Sequence, residues 1–279
     1  GVLVAVSGSS TTATVTDVFG NYSFTLNALG SYTLTPSTTG YHFTPVAVTT
    51  ASLMANWTGN NFAASIDTFT VSGQVTKGGL AWAGVNIAVT GSTTTAAVTD
   101  GSGNYSFILP YGGAYTVTPS TTGYHFDPVA VTTASLAADW ANNFAASIDT
   151  FTVSGTAPTG TLITVSGSAS TSTVAAANSY SLELEYGGAY ALTPSKAFYH
   201  FEPVSVATVS LMANWANNFT AIIDTFTVSG TVSVGSGTFG GVLVAVVGSS
   251  TAAAVTDGAG NYSFKIGRAS CRERVCYVV

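Results

Sequence analysis

The chain has 279 residues, of which six are basic and twelve acidic, so charged side chains make up 6% of it against roughly 25% in an ordinary soluble protein. Three of the six basic residues lie in the last twelve positions, leaving Lys77, Lys196 and Lys265 against eleven acids in residues 1–265; with no basic stripe to neutralise a phosphate backbone, nucleic acid is excluded as a partner. An aromatic content of 11% with abundant Val excludes a disordered tract, and no apolar run reaches the roughly 18 residues that span a bilayer, so no transmembrane segment is expected.

A unit of about 80 residues recurs along the chain. Ile-Asp-Thr-Phe-Thr-Val-Ser-Gly stands at residues 66–73, 148–155 and 223–230, and Trp57, Trp140 and Trp215 keep nearly the same step, as do the Tyr-His-Phe triplets that begin at Tyr41, Tyr124 and Tyr199. Residues 1–24 match residues 241–264 at 19 of 24 positions, so both ends of the sequence fall inside a repeat. In chain order, residues 1–65 are expected to form a partial β-sandwich without its first strand. Residues 66–147 form a complete one, in which apolar residues alternate with polar ones: Phe69, Val71 and Val75; Val85, Ile87 and Val89; Tyr105, Phe107 and Leu109; Tyr115 and Val117; Val129 and Val131. Alternation with period two marks half-buried strands, and the Gly- and Asn-rich stretches between them mark turns. Residues 148–222 repeat the pattern with a shortened loop after Gly155, and residues 223–265 begin a further unit.

Six or seven short antiparallel strands in about 80 residues predict an all-β chain of tandem small β-sandwiches. A core this small is near the limit of self-sufficiency, which gives the recurring Trp, Tyr and Phe a packing role. At Ile266 the composition turns abruptly to Arg and Cys. Residues 266–279 resemble the conceptual translation of a sequencing-adapter oligonucleotide and are expected to be a non-native tail. Both cysteines, Cys271 and Cys276, lie there, which leaves residues 1–265 without a disulfide framework or a cysteine metal site.

The order Val-Ser-Gly-x-Val, Ala-Gly-Val-Asn-Ile-Ala-Val-Thr-Gly, Thr-Asp-Gly-Ser-Gly-Asn-Tyr-Ser-Phe, then Gly-Gly-Ala-Tyr through Tyr-His-Phe-Asp-Pro, is similar to the carboxypeptidase regulatory-like domain. That family is a transthyretin-like (prealbumin-like) β-sandwich, and collagen-adhesin B-type repeats of surface proteins share its Thr-Asp-x-x-Gly-Asn-Tyr hairpin. The resemblance covers residues 1–265. It implies non-catalytic modules of secreted or surface proteins, sometimes attached to peptidases or glycoside hydrolases, with some relatives binding carbohydrate. In the third repeat Ala177-Asn178 replaces the Gly-Asn turn; the fold is expected to survive this, and a site in that loop is not.

Candidate chemistry is sparse. His42, His125 and His200 recur between a Tyr and a Phe on a strand, where the His is expected to face solvent alone, short of the three or four converging ligands of a metal site. The acid two residues on is not repeated, being Thr44, Asp127 and Glu202, and no nucleophile and base are paired, so no catalytic residue and no cofactor are assigned. Asp17, Asp100 and Asp257 offer one carboxylate per loop, where a calcium site needs six or more oxygens; they are expected to make turn hydrogen bonds. Lys77 and Lys196 do not recur in the manner of a Lys-Asn isopeptide. Trp82, in the loop Leu80-Ala81-Trp82-Ala83, is unique and is the candidate for stacking on a sugar, whereas the recurring tryptophans are expected in the core.

The expected role is a non-catalytic stalk or adhesion segment of a larger secreted or cell-surface prokaryotic protein, with neighbouring repeats, glycans or surface proteins as partners. The alternatives are a carbohydrate-binding accessory module of a secreted hydrolase or peptidase, and a fibre subunit that donates a strand. Because Phe-Ala-Ala-Ser of one unit runs straight into Ile-Asp-Thr-Phe of the next, the repeats are expected to make a semi-rigid array. Small-angle scattering from residues 66–222 should give an elongated two-domain profile, and a compact single-domain envelope would contradict it.

Overall fold

In the computed structural model, residues 1–246 and 253–267 are described, and they form strands and turns throughout. Among them no helix is long and apolar enough to cross a membrane. Of the suspected tail, Ile266 and Gly267 close the strand Asn261–Gly267, and residues 268–279 lie outside the described residues. The chain divides into two compact units, Gly1–Ser147 and Ile148–Val279.

The second repeat shows the full arrangement. Thr95–Val98, Asn86–Gly91, Tyr115–Ser120 and Val131–Thr133 form one antiparallel sheet in that order. The facing sheet runs Asn104–Pro110, Thr68–Lys77, Phe144–Ile148 and Tyr124–Asp127, with Leu80–Ala81 and Trp140–Ala141 also paired to Thr68–Lys77. The predicted alternation places Tyr105, Phe107, Leu109, Ile87, Val89, Tyr115 and Val117 in one core with Val71, Val75 and Val85. One residue departs from it. Val129 is 75% exposed, because the strand begins only at Val131 after the turn at Asp127-Pro128.

A second departure concerns strand direction, which alternation does not encode. Thr68–Lys77 is antiparallel to Asn104–Pro110 but parallel to the last strands, with Trp140 beside Val71, Ala141 beside Ser72 and Phe144 beside Val75. Ahead of and between those parallel stretches the ladder is completed by side chains. The Gln74 amide donates to Asn143 Oδ1 at 2.8 Å and the Thr70 amide to Asp139 Oδ1 at 2.7 Å. Gly73 faces the Asn142 carbonyl so closely that a Cβ there would lie 1.6 Å from the oxygen, and Gly155 meets the Asn217 carbonyl at the same 1.6 Å. The Asn142 carbonyl also accepts from the Tyr105 hydroxyl at 2.7 Å, and the Asn217 carbonyl from the Tyr180 hydroxyl at 2.7 Å.

The third repeat keeps this plan. Thr171–Val174, Leu162–Gly167, Tyr190–Ser195 and Val206–Thr208 form one sheet; in the other, Thr150–Thr156 lies between Ser179–Glu185 and Trp215–Ala216. Its altered turn survives through positive φ at Ala177 and Asn178 (49° and 62°) and through Asn178, whose amide donates to Thr159 Oγ1 at 3.0 Å while its Oδ1 accepts from the Thr159 amide at 3.1 Å. The first repeat has one four-stranded sheet, Thr12–Val15, Leu3–Gly8, Tyr32–Ser37 and Val48–Thr50, and the pair Tyr41–Thr44 with Ala63–Ile66. In the last repeat, Thr225–Thr231 pairs with Asn261–Gly267 over a small cluster of Val244, Val246 and Phe264.

Replacing Gly155 with Ala should lower the stability of its repeat by about 2–3 kcal/mol, since backbone rather than a movable side chain blocks the new methyl. Denaturant unfolding followed by hydrogen exchange on residues 150–156 checks this. The tyrosines give a pH dependence. Burial pushes Tyr105 and Tyr180 up to about 12 from an ordinary value of about 10, so the folded state keeps protons that the unfolded chain has lost. Their contribution is fully present below about pH 10 and is lost as pH rises toward about 12. The urea midpoint should therefore fall across that window, and Tyr105→Phe with Tyr180→Phe should flatten the slope.

Candidate functional site

In the second repeat, Lys77, Trp82 and Tyr124 converge near the end of the strand Thr68–Lys77. The segment that carries Trp82 is held on both sides: its amide donates to the Val75 carbonyl at 2.9 Å, and its carbonyl accepts from the buried Thr99 hydroxyl at 2.8 Å. The Trp82 ring lies 4.5 Å, centroid to centroid, from Tyr124 and is stacked at 6.3 Å on Phe126. The Lys77 ammonium sits 5.2 Å from the Trp82 centroid and 4.8 Å from that of Tyr124, and donates to the Tyr124 hydroxyl at 2.8 Å. Leu80–Ala81 is a short strand, and Trp82 is partly buried against the core. The ring is thus wedged among aromatics with a cation beside it, a contact worth about 0.5–1 kcal/mol at an exposed site. The recurring tryptophans Trp140 and Trp215 are likewise partly buried against their cores.

The third repeat, which has no counterpart of Trp82, places a cation beside the equivalent tyrosine from the turn that joins Tyr190–Ser195 to Tyr199–Glu202. Lys196 lies 5.3 Å from the Tyr199 ring centroid and donates to the Thr159 carbonyl at 2.8 Å. Next to it is a shallow groove of about 500 Å³ lined by Lys196, Tyr199, His200 and Val204 among others.

The histidines correct the expectation that they stand alone. His42 Nδ1 is 2.9 Å from Asp67 Oδ1, and His200 Nδ1 is 2.7 Å from Asp224 Oδ1. In each case the acid belongs to the Ile-Asp-Thr that opens the next repeat. The pair therefore clasps a late strand of one repeat to the chain that leaves it. Backbone bonds reinforce it: the Asp67 amide donates to the Gly40 carbonyl at 2.8 Å, its carbonyl accepts from the Tyr111 amide at 2.8 Å, and the Asp224 amide donates to Phe198 at 2.9 Å. A usable signal is present in the sequence, since the partners recur 25 and 24 residues apart, well beyond the near neighbours of each His. Side-chain exposures of 61% for His42 and 36% for Asp67 put the pair on open surface rather than in a cleft.

The hairpin aspartates make the expected turn bonds. Asp100 Oδ1 accepts from the amides of Ser102 and Asn104 at 2.9 and 2.8 Å, and Asp17 and Asp257 do the same in their loops. The amide and side chain of Asn21 hold Asp17 below its ordinary pKa, and Asn261 does so for Asp257.

No family model matches the chain. Among curated proteins it is similar to chitinase ChiA of Flavobacterium johnsoniae, 33% identical over 288 residues, an alignment that takes in 94% of this chain and 18% of that protein. The chain thus spans less than a fifth of the curated relative it matches. Among solved structures, the Bacillus anthracis TIE protein shares its fold, with a TM-score of 0.57 at 11% identity over 95% of this chain and 60% of that one.

Replacing His42 or Asp67 with Ala should change stability by less than about 1 kcal/mol, as expected of an exposed side-chain pair. Thermal unfolding of the two variants in low and high salt checks this, and a loss of several kcal/mol would show that the clasp is a structural keystone.

Proposed function

We propose that this chain is a non-catalytic repeat segment of a larger extracellular or cell-surface protein, in which tandem β-sandwiches hold other parts of that protein apart. The observation that carries this reading is the contrast between core and loop. The second and third repeats retain the same central strand, the same glycine against a carbonyl and the same tyrosine hydroxyl bond. Their loops have drifted freely: the Trp82 segment and Asp100 turn of one are replaced by the Thr159 loop and Ala177-Asn178 turn of the other. A spacer needs its cores and tolerates change in its loops. The alignment with a small part of a much longer chitinase supports a place within a multi-part protein. Extracellular residence rests on that likeness and on the resemblance to surface-protein modules.

A second reading, a carbohydrate-binding accessory module of a secreted hydrolase, draws on the same chitinase likeness together with the Trp82, Tyr124 and Lys77 cluster. Flat aromatic faces beside a cation suit the apolar face and hydroxyl rim of a sugar. One experiment separates the two. Sedimentation of the chain with insoluble chitin and a glycan array should show no retention above a protein control. Binding to a defined glycan that Trp82→Ala lowers tenfold or more would defeat the spacer reading and establish the accessory module.

A further inference from the structure

Within the compact unit Gly1–Ser147, the first repeat passes into the second through Asp67, the residue between the strands Ala63–Ile66 and Thr68–Lys77. Its amide donates to the Gly40 carbonyl of the first repeat at 2.8 Å, and its carbonyl accepts from the Tyr111 amide of the second at 2.8 Å. The Tyr111 ring lies so close to Gly40 that a Cβ there would sit 2.0 Å from its Cδ1 and 2.3 Å from its Cε1. We infer that the turn at Gly40 is a docking seat for the repeat that follows, that it accepts a repeat carrying an aromatic ring at the position of Tyr111, and that the seated ring fixes the angle between the first and second repeats. Such a seat stiffens the spacer proposed above, but it is a property of the junction and is tested apart from that role.

The backbone across this junction is engaged position by position. Tyr41 pairs with Ile66 in the last ladder of the first repeat, Asp67 bonds to both repeats, and Thr68 pairs with Pro110 in the second repeat. Relative motion of neighbouring domains needs a few residues whose φ and ψ are free to change, and a large change at Asp67 breaks one of its two backbone bonds. The ring restricts what remains. Tyr111 is braced by Phe69, 6.3 Å away between centroids, and Phe69 packs on the core of the second repeat. The ring therefore moves with the second repeat while its seat belongs to the first. Closing the angle on that side drives the ring into the Gly40 backbone, and opening it exposes the half-buried ring to water.

Gly40 suits the seat in two ways. Its φ of 77° lies where glycine pays no steric penalty, and the ring fills the space a side chain would take. The ring-bearing side of the junction recurs in the third repeat, where the Tyr186 amide donates to the Asp149 carbonyl at 2.9 Å and the Tyr186 ring lies 6.2 Å from Phe151. The seat itself does not recur there. Phe198 stands where the first two repeats have Gly40 and Gly123, at φ 68°, although the Asp224 amide still donates to its carbonyl at 2.9 Å. A side chain at that position takes the place of the ring, so the third repeat does not receive a tyrosine as Gly40 does. Glycine before Tyr-His-Phe thus marks a repeat that seats a ring.

A pair of spin labels in the full chain tests the seat, one on Thr49→Cys in the first repeat and one on Thr94→Cys in the second, with Cys271 and Cys276 changed to Ser. Double electron–electron resonance should give a single narrow distance distribution. Tyr111→Phe, which retains the ring, should keep it, whereas Tyr111→Ala and Gly40→Ala should each widen it about twofold or more. A parent distribution as wide as that of Tyr111→Ala, or alanine variants as narrow as the parent, would overturn the inference. Should Tyr111→Ala lose its fold by circular dichroism, the comparison of Gly40→Ala with Tyr111→Phe decides, since Gly40→Ala leaves every residue of the second repeat in place. A flexible junction would leave the spacer reading standing, because a flexible stalk also spaces; glycan retention would defeat that reading and leave the seat intact.

Discussion

In each complete repeat a glycine of the first strand lies so close to a backbone carbonyl one strand away that a Cβ there would sit 1.6 Å from the oxygen. Gly73 against Asn142 and Gly155 against Asn217 set how near the last strand can come to the first. That distance lets the hydroxyls of Tyr105 and Tyr180 reach the same oxygens from the other side, and it brings Phe144 and Phe219 into ring contact with those tyrosines. A carbonyl that takes a tyrosine bond in place of a ladder bond still satisfies its demand while buried. The first strand is thus the element on which both edges of its sheet are assembled, and the sandwich closes over it.

The surface is built without the usual charges. The strands present Thr, Ser and Asn outward, and turn geometry is fixed locally by Asp17, Asp100 and Asp257 holding the amides two and four residues ahead. Where the third repeat lacks that aspartate, Asn178 and Thr159 provide an equivalent set of bonds across a different loop. The cation beside the conserved-position tyrosine shows the same substitution of source, Lys77 in one repeat and Lys196 in the next. Core positions are set by shape and admit little change, whereas loop positions need only a local hydrogen-bond solution, of which several exist.

Much of the fold was legible in the sequence because period-two alternation reports which face of a strand is buried: Tyr105, Phe107 and Leu109 fall inward as that pattern requires. Strand direction was not legible, since Val71 alternates with Thr70 and Ser72 identically whether its neighbour is parallel or antiparallel. Nor was the closure by side chains, because Asn143 and Asp139 act on strands 69 residues away. The His-Asp clasp was hidden for a related reason: a residue that points to solvent on its own strand can still meet the start of the next repeat. Trp82 looked like a loop residue because its neighbours are small, and only the packing of Tyr124 and Phe126 shows that the segment is tucked against the sheet.

The parallel pairing of first and last strands has a mechanical consequence. Because Thr68–Lys77 and the Trp140 to Ala146 segment run in the same direction, the chain enters the second repeat at one end of that sheet and leaves it at the other. Tension applied through the chain then pulls the two strands past each other along their length, and the bonds between them resist together in shear. A hairpin-like arrangement of terminal strands would instead place both attachment points at one end and open bond by bond, as a zipper does. The direction that period-two patterning does not record is the one that decides how such a repeat carries load.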